Sequence, residues 1–276
     1  MKWIQFILSH SIFISICAAA LCYQTFQLLH IPFNYFIYGL IFFATLCSYN
    51  FYWLISKYHF NTGNDPRDFL LKHFSNVFIF LVAASGLVVC LYFLPATAPV
   101  VLIAVFLTLL YSIPLWPVKK LAFTRKAGFL KTVLLAFTWA YVTVMIPVQQ
   151  AFSISSLSIG LLFTARFLFM LMLCIIFDSR DINVDKIHSL SSLATDVSRK
   201  TLQVIMAIVF VLYLVTGFLL RYYFNNNAQI IAFFITGLLT LFVYRLSLRQ
   251  QGYFFYYFLV DGLMLFSSAA TYVASI

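Results

Sequence analysis

The chain has 276 residues, of which 64% are hydrophobic and only 9% charged, and its mean hydropathy is +1.00. A soluble domain of this length needs roughly a quarter of its residues charged, so a soluble enzyme, a disordered chain and a secreted disulfide scaffold are all excluded. All of the acidic residues are Asp, and against 7 of them stand 17 Lys and Arg, a net charge of +10. In so apolar a chain that excess reads as basic loops holding one side of a membrane, and no nucleic-acid partner is expected.

A spanning helix needs about 20 mostly apolar residues. Nine stretches meet this: Phe6–Gln27, Ile31–Ile55, Phe74–Leu94, Val100–Trp116, Phe129–Val148, Ser156–Phe177, Thr201–Leu220, Gln229–Tyr244 and Tyr253–Val273. The runs are too long and continuous for the alternating strands of a barrel. The expected fold is therefore an all-α bundle of nine transmembrane helices in a single domain over residues 1–276. Most prolines (Pro32, Pro95, Pro99, Pro114, Pro117, Pro147) fall near proposed helix ends.

On this division every Lys and Arg falls on one side except Arg221, on the other, and Arg166, inside the sixth stretch. Basic loops stay cytoplasmic, so the N-terminus is expected inside and the C-terminus outside, in a multi-pass protein of a bacterial-type plasma membrane. Lys2, an apolar run and Ala18-Ala19-Ala20-Leu21-Cys22 have the outline of a cleaved signal. The weak basic region before the run favours a retained first helix. Cys17, Cys22, Cys47, Cys90 and Cys174 all lie in apolar runs without a CxxC pair, which reads as small buried hydrophobes.

Polar groups are costly beside hydrocarbon, so their clusters mark candidate sites. Asp178, Asp181 and Asp185 follow the sixth stretch. If the helix continues through them they share one face, where three carboxylates repel one another unless a cation intervenes. Mg²⁺ carrying a phosphate ligand suits such a set; a solvated helix end paired with Arg180 and Lys186 is the other reading. Tyr111-Ser112-Ile113-Pro114-Leu115-Trp116-Pro117-Val118-Lys119-Lys120 closes the fourth stretch. Its lysines either hold a diphosphate as point charges or simply anchor the helix at the cytoplasmic side.

The two clusters, in this order on nine helices, resemble the UbiA superfamily of intramembrane prenyltransferases over nearly the whole chain. Asp178-x-x-Asp181-x-x-x-Asp185 is similar to that family's second Asp-rich motif, and Tyr111–Lys120 to the segment that ends its fourth helix. The resemblance implies transfer of a prenyl group from its diphosphate to an aromatic or other hydrophobic acceptor at the cytoplasmic mouth. Asp178, Asp181 and Asp185 would hold Mg²⁺, with Asn50, Tyr111, Lys119, Lys120 and Arg180 binding substrate and membrane lipid around the site.

The family's first motif, Asn-Asp-x-x-Asp-x-x-x-Asp, is degraded here. Asn50 fits its leading Asn, but Phe51, Leu54 and Tyr58 occupy the Asp positions. Asn64-Asp65-Pro66-Arg67-Asp68 has some of the letters in a later place, where Asp65 also reads as a helix cap and Pro66 as the first helical residue. The loss leaves open a non-catalytic homologue that binds an isoprenoid or scaffolds another membrane enzyme.

Two charges lie inside the spans, Arg166 and Asp261. They can pair with each other, or Asp261 can be a structural acid held within the bundle. Among the abundant aromatics, Tyr49, Tyr52, Trp53, Tyr111 and Trp139 occupy positions that allow them to line a cavity. A transporter is disfavoured, since the polar groups gather at one mouth and no inverted repeat is evident.

Overall fold

The computed structural model describes residues 2–60, 66–112, 128–149, 154–187, 193–223 and 226–276, and all side chains of these but 2, 59–60, 66–68, 112 and 181–187. Among the described residues the protein is all helical. In chain order these are α1 (Lys2–Ser9), α2 (Ile12–Leu28), α3 (Tyr35–Phe60), α4 (Pro66–Lys72), α5 (Phe74–Phe93) and α6 (Ala98–Ser112). Then follow α7 (Gly128–Ala140), α8 (Ile146–Val148), α9 (Ser156–Ile187), α10 (Leu193–Asp196), α11 (Arg199–Leu219), α12 (Asn227–Ser247) and α13 (Asp261–Val273). Pro66 is the first described residue of α4, and Asn64 and Asp65 lie outside the described residues.

Each of the nine predicted stretches coincides with helix, but length and apolarity single out six as membrane spans. These are Tyr35–Tyr58, Phe74–Phe93, Gly128–Val148, Ser156–Arg180, Arg199–Tyr222 and Asn227–Ser247. The first stretch is a pair, α1 and α2, bent by 69° and counting as a seventh span if taken together. Ser11, at the bend, has φ 62°, a left-handed backbone that few side chains adopt. Helix α6, which follows the 3-10 turn Pro95–Thr97, is apolar as far as it is described, and the residues directly after Ser112 lie outside the described ones. The chain is nonetheless an integral multi-pass membrane protein, with large apolar side chains such as Phe78, Val88, Leu102, Phe106, Val211 and Phe242 exposed on its outer faces.

The core gathers around α9. Every residue from Leu168 to Ile176 is buried, which a helix achieves only when neighbours cover all its sides; here α7, α10, α11 and α12 do so. The remaining helices close the bundle through α3 on α5, α2 on α3 and α13, and α12 on α13. Cys17, Cys22, Cys90 and Cys174 are buried and free, as small hydrophobes should be, and Cys47 is partly buried.

Polar side chains tie helices where lipid offers no partner. The Gln24 amide donates to the Ser267 carbonyl at 3.0 Å and the Ser268 hydroxyl donates to the Ala20 carbonyl at 2.6 Å, fastening α2 to α13. Between α7 and α8 the helix widens into a π turn, Tyr141–Met145, and the Thr25 hydroxyl donates to the Thr143 carbonyl there at 2.8 Å. Elsewhere close approach rests on a missing side chain. A Cβ on Gly237 would stand 2.8 Å from the ring of Tyr213, itself buried and donating to the Phe233 carbonyl at 3.3 Å. Because that ring is pinned, Gly237→Ala is expected to destabilise the protein by about 1–3 kcal/mol through overpacking. A lowered thermal midpoint in detergent checks it, and an unchanged one would show that α11 and α12 can move apart freely.

Candidate functional site

At one end of the bundle a cavity of about 510 Å³ opens among six elements. The α1–α2 bend supplies Ser9 and Ser11, α3 supplies Tyr49, Tyr52, Trp53 and Ser56, and α6 supplies Tyr111. Lys131 and Trp139 come from α7, Cys174, Phe177, Asp178 and Arg180 from α9, and Tyr253, Tyr257 and Asp261 from the segment entering α13. Ends of α3, α6 and α9 thus meet starts of α2, α7 and α13. Alternating helices bring those termini to one end of the bundle.

Asp178 stands at the mouth, and the Thr132 hydroxyl donates to its carboxylate at 2.5 Å. Helix α9 runs on to Ile187, so positions 178, 181 and 185 do fall on one helical face, as the spacing predicts. The side chains of Asp181 and Asp185 lie outside the described ones, and Lys119 and Lys120 lie outside the described residues. Hard oxygen donors in this series fit a cation such as Mg²⁺, which takes one or two carboxylates together with phosphate oxygens. Among the described residues alone, no three His, Cys, Asp or Glu side chains form a metal cluster.

Two cations border the cavity beside Asp178. Lys131 enters from the first turn of α7. Arg180 lies 5.1 Å from the ring centroids of Phe177 and Tyr256 and 4.9 Å from that of Tyr257, a stacked setting that fixes a planar guanidinium. Next to the mouth, Trp53 meets the ring of His73 edge-on at 5.1 Å. Burial, with Lys72 and Lys57 nearby, holds that imidazole below its ordinary value.

The five aromatics singled out in the sequence all line the cavity. Tyr52 stacks on Tyr111 with centroids 5.5 Å apart, and Tyr49 meets Trp139 at 6.2 Å. The face that α3 turns to the cavity carries Tyr49, Tyr52, Trp53 and Ser56, while Phe51, Leu54 and Tyr58 are not among its lining residues. Asn50 does not line it. Its side chain is 1% exposed, and its amide donates to the Leu46 and His10 carbonyls at 2.9 and 3.1 Å, pinning α3 to the α1–α2 bend.

A second cavity of about 300 Å³ lies between α3, α5, α6 and α7, lined by Leu40, Ala44, Leu87, Val101, Ala104 and their neighbours. Tyr49, Tyr111, Leu135 and Trp139 border both spaces. One cavity is charged at its mouth, and the other is almost wholly apolar.

The fold has a counterpart among solved structures. The apo structure of a UbiA homologue from Aeropyrum pernix K1 superposes with a TM-score of 0.61, covering 95% of this chain and 98% of that one at 13% identity. The chain has the UbiA fold. No family model and no curated protein sequence matches it. In this UbiA fold the sixth predicted stretch is the central helix α9, and the acidic series continues from its buried part.

Sequence reasoning passed over Lys131 and Asp261 as site residues. Lys131 had a signal, a cation just inside an apolar stretch. Asp261 had only its charge, since a π turn, Phe255–Val260, precedes it and shifts its facing. Arg166 and Asp261 are not brought together. Arg166 donates to the Thr25 hydroxyl at 3.4 Å near Cys22 and Tyr213, whereas Asp261 lies in the electrostatic range of Arg180.

Proposed function

We propose that this protein is a divergent member of the UbiA superfamily, a nine-span prenyltransferase with its N-terminus cytoplasmic and its C-terminus outside, in a plasma membrane of bacterial type. It moves a prenyl group from its diphosphate to an aromatic or other hydrophobic acceptor. The observation that carries this reading is the pair of cavities, a charged mouth around Asp178 sharing four side chains with an apolar chamber. Such a pair suits a molecule with an anionic head and a hydrocarbon tail.

Asp178, Asp181 and Asp185 would hold Mg²⁺, which when bound supplies positive charge to the diphosphate. Lys131 and Arg180 face the same anion and favour its departure, and Lys119 and Lys120 would add their charge to theirs. The tail lies in the apolar chamber, and the Tyr49, Tyr111 and Trp139 rings at the junction present π faces to an allylic carbon as it gains positive charge. The surrounding helices keep out water that would quench that carbon. The aromatic face of α3 supports a second reading, an isoprenoid-binding homologue without turnover, because one acidic series neutralises less charge than two.

The test is binding of geranylgeranyl diphosphate to the purified protein with and without Mg²⁺, repeated with Asp181→Ala. Binding that needs both Mg²⁺ and Asp181 is expected, with a loss of about 30-fold or more in the variant. Binding indifferent to both would sink the diphosphate chemistry. Binding as expected, with no transfer to any acceptor offered, would favour the second reading.

A further inference from the structure

Asp261 is the buried group that the diphosphate chemistry leaves unused. It is 3% exposed, yet it borders the 510 Å³ cavity. Among the described residues no donor hydrogen-bonds its carboxyl. The fully enclosed unpaired side-chain atoms elsewhere are Gln27 Oε1, Tyr38 Oη, Arg166 Nη1 and Tyr244 Oη. The Asp261 oxygens are not in that group, because they open onto the cavity. A buried, unbonded carboxyl is costly, and a ligand that donates to it removes the cost.

The backbone aims it there. Asp261 follows directly on the π turn Phe255–Val260, and such turns inside helices concentrate at functional sites. The titratable groups in its electrostatic range are Arg180 and Cys174 from α9, Cys17 from α2, Tyr49 from α3 and Tyr253 of its own segment. Cys174 is within range of both Asp178 and Asp261 and precedes Asp178 by one helix turn. Asp261 and Asp178 thus border the same cavity from α13 and α9. Tyr49, Trp139, Tyr253 and Tyr257 line it with aromatic surface.

We propose that Asp261 binds the hydroxyl of a phenolic acceptor and takes its proton during transfer. The assignment rests on the prenyl-transfer reading of the same cavity. As the phenol O–H proton passes to the Asp261 carboxylate, a ring carbon ortho to the oxygen forms the new C–C bond to the allylic carbon. The allylic C–O bond breaks and its electron pair leaves with the diphosphate. The resulting dienone loses the proton on its alkylated ring carbon to the departing diphosphate, and Asp261 returns its proton to the oxygen. One proton and one diphosphate are released per turnover.

The experiment uses the full chain in detergent, with Asp261→Asn and Asp261→Glu beside wild type. Geranylgeranyl diphosphate binding with Mg²⁺ is measured first. Transfer is then measured to 4-methylphenol and to 4-methyl-2-nitrophenol, at a pH where the nitrophenol is ionised and the cresol is not. Each variant is compared with wild type on the same acceptor, which cancels intrinsic reactivity. The Asn variant is expected to bind the diphosphate within about twofold of wild type and to transfer to the cresol about 100-fold more slowly. With the ionised nitrophenol that deficit shrinks to about 10-fold or less, and the Glu variant recovers part of the cresol rate. A deficit equal on both phenols, or none, overturns the proposal. So does a wild-type protein that binds the diphosphate but prenylates neither phenol, and in that case the proposed function stands. A wild-type protein that binds no prenyl diphosphate overturns both.

Discussion

Asp178→Asn is expected to weaken Mg²⁺-dependent binding of geranylgeranyl diphosphate by about 100-fold or more. The residue stands at the cavity mouth, oriented by the Thr132 hydroxyl, and it is the carboxylate of the acidic series nearest the buried part of α9. With the first motif gone, no acidic side chain of α3 shares the charge of the diphosphate, so each remaining carboxylate bears more of it. Losing one partner of a desolvated charge cluster costs about 2–5 kcal/mol. The substitution keeps the shape of the side chain and the Thr132 contact, so the thermal midpoint is expected to move little. Calorimetric titration with and without Mg²⁺ reads the effect. Affinity within threefold of wild type would place the diphosphate elsewhere.

The second large effect concerns chain length. Ala104 lies on α6, buried, and lines the apolar chamber. Ala104→Phe puts a ring into a space of about 300 Å³. If the prenyl tail lies there, geranylgeranyl diphosphate is expected to bind about 30-fold or more weakly, since each methylene kept out of an apolar site costs about 0.8 kcal/mol. Dimethylallyl diphosphate, too short to reach past Tyr49 and Trp139, is expected to bind within about threefold of wild type. Parallel loss for both chains would mean that the substitution disturbs the bundle rather than the chamber, and a melting curve separates the two outcomes.

The limits of sequence reading are clearest in particular residues. The helix positions were legible because long apolar runs in lipid have few solutions, and the acidic face of α9 followed from the spacing 178, 181, 185. That Tyr49, Tyr52, Trp53, Tyr111 and Trp139 could line a cavity was also legible, from the positions they occupy in the predicted spans. Among the described residues six helices by themselves are long and apolar enough to span; the first stretch breaks at Ser11, and a π turn, Phe255–Val260, interrupts the last. Asn50 carries the letter of a motif while its amide serves two backbone carbonyls. Only the α1–α2 bend brings the His10 carbonyl to it, and no local pattern announces that bend.

The amino-acid sequence by itself determined that this is an all-helical membrane protein with one acidic series following its most buried helix. Composition and periodicity dictate that much, because hydrocarbon leaves the backbone no other partner than itself. Tertiary structure alone decided that the charged mouth and the apolar chamber share a wall, that Lys131 joins Asp178, and that Asp261 faces the cavity. The first two outcomes come from the packing of α3, α6, α7 and α9, while the facing of Asp261 follows a π turn at Phe255–Val260 and the Asn50 contact a left-handed residue at Ser11. A 3.6-residue period read along the sequence carries straight through such breaks, so the facing of residues past them emerges only when the helices pack.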